Sequence, residues 1–181
     1  MQLNQIPLDN RAQVMMIRKV PSFTGLRPAS EVSSRTKRNN RRSDTQHEVL
    51  LRRELSRMGL RFRKNVEALP GKPDIVFSTW QVAVFCDGGF WHGRNWRTLR
   101  LKLDRGTNAN YWSEKIASNI KRDRRNTALL EKAGWRVIRL WEKDIKRDPM
   151  AAAKLVRGVV DNRHEKLAGK IGPNRKGRMK R

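Results

Sequence analysis

Apolar positions along the chain change their period several times, and each change marks an element. Residues 1–30 hold no sustained period and carry Pro21 and Pro28, which predicts a loose N-terminal arm. The basic run SSRTKRNNRRSDTQHE (33–48) ends with Thr45 and Glu48 in capping-box spacing. A helix is therefore predicted to about Met58, with Gly59 as its stop. RFRKN (61–65) is a candidate for a short polar strand. Residues 73–78 and 82–87 are apolar runs around a tight Ser78-Thr79-Trp80 turn, which reads as a hairpin. Segment 88–111 has no period, and its length predicts a functional loop. A long helix is expected over about 112–132, ending before Gly134, and WRVIRLWE (135–142) reads as a strand. Asp148 and Pro149, a cap and a first-turn proline, open a last helix to about Asn162. The Gly- and Lys/Arg-rich tail from His164 is predicted to be disordered unless bound. The order gives an α/β fold with a central mixed sheet and flanking helices. The expected organisation is an arm (1–30), one domain (31–163) and a basic tail (164–181).

Composition narrows the partner. At 181 residues with 37% hydrophobic content, the chain can build one proper core but hardly two. Lys+Arg number 42 against 17 Asp+Glu, a formal charge of +25. Such an imbalance is best neutralised by a polyphosphate, which releases its counterions on binding, so nucleic acid is the expected partner and an anionic membrane surface the second. Cys86 is the only cysteine, so neither an internal disulfide nor a zinc site of paired thiolates is possible within the chain. No run is long enough for a membrane span, and the N-terminus has no apolar signal core. These features point to a reducing compartment that contains DNA.

Carboxylates on apolar faces supply the candidate chemistry. Ile116, Ile120, Thr127 and Leu130 form one stripe of the 112–132 helix, and Asp123 lies on it, while Arg122, Arg124 and Arg125 fall to the flanks and outer face. A carboxylate there must be paired or bind metal; a buried salt bridge to a neighbouring arginine is the plainer reading. Glu48 shares a face with Leu51 and Leu55, although capping alone would explain it. Asp74 opens one strand of the hairpin and Asp87 closes the next, so both can meet at one end of the sheet; turn duty would explain either singly. Together these four acids ask for a cation, and Mg²⁺, which takes one or two carboxylates plus substrate phosphate, suits a phosphodiester. His92 follows Asp87 and two aromatics, Phe90 and Trp91, in a glycine-flanked loop, which favours proton transfer. His47 is beside Glu48 in sequence but turned away by one helical step, and His164 begins the tail.

PGKPDIVF, VAVFCDGGFWHG, NANYWSEKIASNIKRDRRN and LLEKAGWRVIRLWE, in that order, resemble the very-short-patch repair (Vsr) endonucleases over about residues 30–145, and NNRRSDTQHEVLLRREL resembles that family's first helix. The resemblance implies a restriction-endonuclease-like (PD-(D/E)XK) core and a Mg²⁺-dependent nickase. Its substrate would be double-stranded DNA with T:G mismatches left by deaminated 5-methylcytosine, cut 5′ of the thymine. It implies Asp74 as the central metal ligand, with the backbone carbonyl of Cys86 beside it, and His92 as the catalytic histidine. Glu48 and Asp123 would bind metal-bound waters or orient the histidine, and Asp87 would be a polar position at the site. Phe90 and Trp91 would form a wedge entering the base stack, with Arg94 also on DNA; core packing is the alternative for the two aromatics. It further implies a monomer in the bacterial cytoplasm, associated with the nucleoid and linked to a cytosine-5 DNA methyltransferase.

The sequence departs from the family in two places. The positions that usually hold a structural zinc are Gly89, Arg94, Trp96 and Lys143, none a usual ligand, so no zinc is expected and Trp96 is expected to fill the space by packing. The acid-x-Lys signature of the wider superfamily is also missing, since Gly88 and Gly89 follow Asp87; in the Vsr branch the histidine takes that role. Two other readings stand beside this one. The first is a restriction-type or damage-directed nuclease of altered specificity, the second a non-catalytic basic nucleic-acid-binding protein.

Overall fold

A computed structural model describes residues 43–170, with side chains to 167; the arm, most of the basic run and the end of the tail lie outside them. Helix α1 (Gln46–Arg57) starts where the capping signal places it. The Thr45 amide donates to Glu48 Oε1 at 3.4 Å, and Gly59, at φ +76°, ends it. Strands β1 (Arg63–Lys64), β2 (Ile75–Phe77) and β3 (Val82–Asp87) follow, then helices α2 (Trp96–Leu103) and α3 (Ala109–Lys132). Strand β4 (Arg136–Trp141), the short helix α4 (Glu142–Arg147) and helix α5 (Pro149–Lys170) complete the described chain.

The sheet order is β1-β2-β3-β4, antiparallel except for the parallel pair β3·β4, so the mixed sheet is as expected. Strand alternation divides β3 between two layers. Val82, Val84 and Cys86 face a core shared with Leu51 and Leu55 of α1 and with Val156 and Val160 of α5. Ala83 and Phe85 face Leu130 of α3. Asp87 and Arg139, at even offsets from Phe85 and Val137, face α3 as well. The chemistry described below collects where that second layer meets the end of β3. Among the described residues, no helix is long and apolar enough to cross a membrane.

Three expectations are corrected. The 88–111 segment is not all loop, because α2 lies within it and α3 starts at Ala109. Trp96, Leu99 and Leu103 recur at helical spacing and are half-buried, while the intervening Arg97, Arg100 and Lys102 conceal the stripe. The sequence reading had no counterpart of α4. Finally, α5 passes the expected end near Asn162 because Arg163 is anchored to the hairpin turn. Its guanidinium donates to the carbonyl of Trp80 at 3.2 Å, to Gln81 Oε1 at 3.3 Å and to the carbonyl of Gly134.

Candidate active site

Two groups of residues meet at the C-terminal end of β3. In the first, the β2–β3 pairing ends at Ile75↔Val84, so Cys86 extends past the ladder, and its amide donates to Asp74 Oδ2 at 2.7 Å. Burial pushes the Asp74 carboxyl up to about 6; the Cys86 amide opposes this, while the charges of Glu48 and Asp87 add to it. Burial also pushes the Cys86 thiol well up, so that side chain is a core group and its backbone carries the polar contacts. Glu48 is buried, accepts from the amides of Asp44 and Thr45, and lies 3.7 Å from Arg52 Nη1. It is thus a cap and a member of the acidic group at once.

His47 was misplaced by the helical projection. It is 7% exposed, with Nε2 3.3 Å from the Cys86 carbonyl oxygen. A first-turn residue has the end of β3 on one side and the helix start on the other, so the outward-facing sector of a long helix does not exist there.

In the second group, His92 Nδ1 is 2.6 Å from Asp123 Oδ2 and 3.4 Å from Asp87 Oδ1. Burial alone would raise the Asp123 carboxyl, but the His92 hydrogen bond and charge, with Arg139 and Arg122, hold it below its ordinary value. Asp87 is clasped by Arg139 through Nε to Oδ2 at 2.6 Å and Nη2 to Oδ1 at 2.8 Å, and that guanidinium rests 4.6 Å from the Phe85 ring centroid. Sequence reading missed Arg139, since the partner of a strand residue depends on the β3–β4 register. Both readings of Asp123 apply, because it holds the histidine and pairs with arginines. A cleft of about 360 Å³, lined in part by His92, Asp123, Thr127, Arg139 and Trp141, opens beside the imidazole.

The loop between β3 and α2 carries the aromatics. Phe90, Trp91 and Trp112 form a cluster, with ring centroids 5.2 Å apart for Phe90–Trp91, 5.5 Å for Phe90–Trp112 and 5.8 Å for Trp91–Trp112. Phe90 is exposed and Trp91 half-buried, and Trp112 is a member that sequence reading did not single out. The Asn119 amide donates to the Trp91 carbonyl at 2.9 Å and ties the loop to α3. Arg94, read as a DNA contact, turns its guanidinium to Asp144 of α4, with Nη1 3.1 Å from Oδ2, and lies over the Trp141 ring. This ion pair joins the 88–95 segment to the region of Lys143. Gly89 packs near Arg94, and Trp96 is half-buried at the start of α2.

Gly93 has φ +68°, and a Cβ there would come within 2.4 Å of Ile120 Cδ1. Gly93→Ala should therefore displace the turn holding His92 and cost about 1–3 kcal/mol of stability with a loss of activity. A thermal melt and a cleavage rate both at the native value would contradict this packing.

No three His, Cys, Asp or Glu side chains among the described residues form a ready cage for a metal ion. The donor set fits Mg²⁺ nonetheless. That ion takes few protein ligands, all oxygen, and Asp74 is a half-buried carboxylate beside other acids with Oδ2 engaged by the Cys86 amide.

Comparison with known proteins gives the family. The profile of the family described as DNA mismatch endonuclease Vsr matches residues 29–98. The type II nicking enzyme V.NmeDIP of Neisseria meningitidis serogroup C is 38% identical over 122 residues, 67% of this chain and 81% of that protein. The chain belongs to the Vsr family. The type II nicking enzyme V.NaeI of Lentzea aerocolonigenes is 40% identical over 146 residues, 76% of this chain and 80% of that protein. The DNA mismatch endonuclease Vsr of Escherichia coli is 37% identical over 99 residues, 55% of this chain and 62% of that protein. The protein is accordingly a DNA endonuclease, which removes the non-catalytic reading, and DNA is its substrate class.

Proposed function

We infer that this Vsr-family enzyme is a Mg²⁺-dependent mismatch endonuclease that nicks 5′ of the thymine in T:G mismatches arising from 5-methylcytosine deamination. The observation that carries the reading is the pairing of His92 with Asp123 near the half-buried Asp74, with a partly exposed aromatic cluster alongside. Asp74 and the Cys86 carbonyl would hold the cation, with Glu48 and Asp87 in its surroundings. When bound, Mg²⁺ would neutralise the scissile phosphate and lower the pKa of water there.

Asp123 holds His92 through Nδ1, which leaves Nε2 to move a proton at the phosphate. Arg139 pairs with both oxygens of Asp87, and Asp123, at 2.6 Å against 3.4 Å, is the nearer partner of that imidazole. Phe90 and Trp91, backed by Trp112, are suited to wedge between base steps, and a mispaired step costs less to open than a paired one. The high positive charge supplies phosphate contacts that are blind to sequence, to which the tail would add, and Arg94 too if DNA draws it from its ion pair with Asp144. The mixed sheet with helices on both faces is consistent with a restriction-endonuclease-like core. The enzyme would act as a monomer in the bacterial cytoplasm, guarding sites of a cytosine-5 methyltransferase.

The wedge is tested by binding without divalent cation. The native protein should prefer a T:G duplex over its paired counterpart, and Trp91→Ala should reduce that preference by about 1–3 kcal/mol, a stacking contact's worth. Equal affinity of the native protein for both duplexes would remove the wedge from the reading.

A further inference from the structure

His47 has no place in the mechanism above, yet it is buried at its centre. Cys86 lies beyond the β2–β3 ladder, so its amide and carbonyl need partners other than a strand on that edge. Asp74 takes the amide and His47 the carbonyl. The same Nε2 is 3.2 Å from Thr45 Oγ1, and that hydroxyl is 2.6 Å from Glu48 Oε1. A carboxylate oxygen accepts, so the hydroxyl proton points to Glu48 and the hydroxyl oxygen accepts from His47. A carbonyl also accepts. With acceptors on both sides, the network assigns the proton of this ring to Nε2. One N–H is thus shared between the Cys86 carbonyl and, through Thr45, the Glu48 carboxylate.

We propose that His47 is a positioning residue that sets the Cys86 carbonyl and Glu48 in the arrangement a hard divalent cation needs. It does so as a donor and does not ligate the cation. The inference rests on the proposed reading of Asp74 and the Cys86 carbonyl as cation ligands. Groups that orient metal ligands typically govern 10–100-fold of affinity.

The test needs no cleavage. Mn²⁺ binding to the full-length protein is followed by electron paramagnetic resonance, with Mg²⁺ as competitor, for the native protein, His47→Leu, His47→Gln and Asp74→Asn. Metal-free DNA affinity is measured for each. His47→Leu should weaken cation binding about 10–100-fold with DNA affinity unchanged, and His47→Gln, which keeps an N–H donor, should recover much of it. Asp74→Asn should remove the binding. If the leucine variant does not fold, His47→Asn, whose amide is too short to reach, takes its place. Native affinity in His47→Leu or His47→Asn, with binding lost in Asp74→Asn, would overturn the role of His47 alone. Equal loss in His47→Gln and His47→Leu would also overturn it, since the donor would then not be what matters. Native affinity in Asp74→Asn would overturn the cation site itself and this inference with it.

Discussion

Asp74→Asn should abolish cleavage and, in the absence of metal, leave a more stable protein. The asparagine oxygen can still accept from the Cys86 amide, so the local backbone is kept. What is lost is a negative charge held in a buried site among other acids, where the carboxyl titrates at about 6. An unfolded aspartate titrates near 3.9. The native state therefore binds the proton more tightly than the unfolded state does. Ionising Asp74 costs stability progressively as pH rises from about 4 to about 6, and the cost is constant above that. Its size is about 1–3 kcal/mol. Melts in EDTA should show native protein and variant alike near pH 4, with the variant higher by several degrees at pH 8. Cation and proton compete for this carboxylate, so cleavage should also decline below about pH 6. Native-level cleavage by the variant, or a variant less stable than the native protein at pH 8 in EDTA, would contradict the role of Asp74.

The second large effect is expected at the histidine. His92→Ala removes the group placed to move a proton, which is typically worth 10²–10⁴-fold in rate. Asp123→Asn leaves the ring in place but lacks the charge that holds it, and should cost less. Because Asp123 acts through His92, the double variant should be no slower than His92→Ala alone. Single-turnover cleavage of one DNA substrate by all three proteins provides the comparison. An Asp123→Asn loss that multiplies with that of His92→Ala would mean the two act independently, and the 2.6 Å contact would not be the working one.

Much of this was legible in the sequence, and what was not has physical causes. Asp123 interrupts an apolar helical stripe, and Asp74 and Asp87 bracket a hairpin, so local periodicity alone marked three acids that the fold brings together. The Thr45–Glu48 spacing fixed the helix start, and Glu48 proved to be a cap and a neighbour of the site. His47, by contrast, was lost because a projection onto a helical wheel assumes one buried face, and a first-turn residue can be buried from another side. Arg139 and Asp87 meet only through the parallel register of β3 and β4, and Trp112 meets Phe90 only when the loop folds over α3. Those pairings separate residues widely along the chain and leave no local period. The concealment of α2 has another cause, since its short apolar stripe is half-buried and surrounded by basic residues.

The most direct measurement is single-turnover cleavage of a duplex with one T:G mismatch, each strand separately labelled, in varied flanking sequence. The fully paired duplex and an EDTA arm serve as controls. One nick 5′ of the mispaired thymine, present with Mg²⁺, absent with EDTA and absent on the paired duplex, is the expected result. Cleavage of both duplexes alike, or of both strands, or cleavage that survives EDTA, would contradict it.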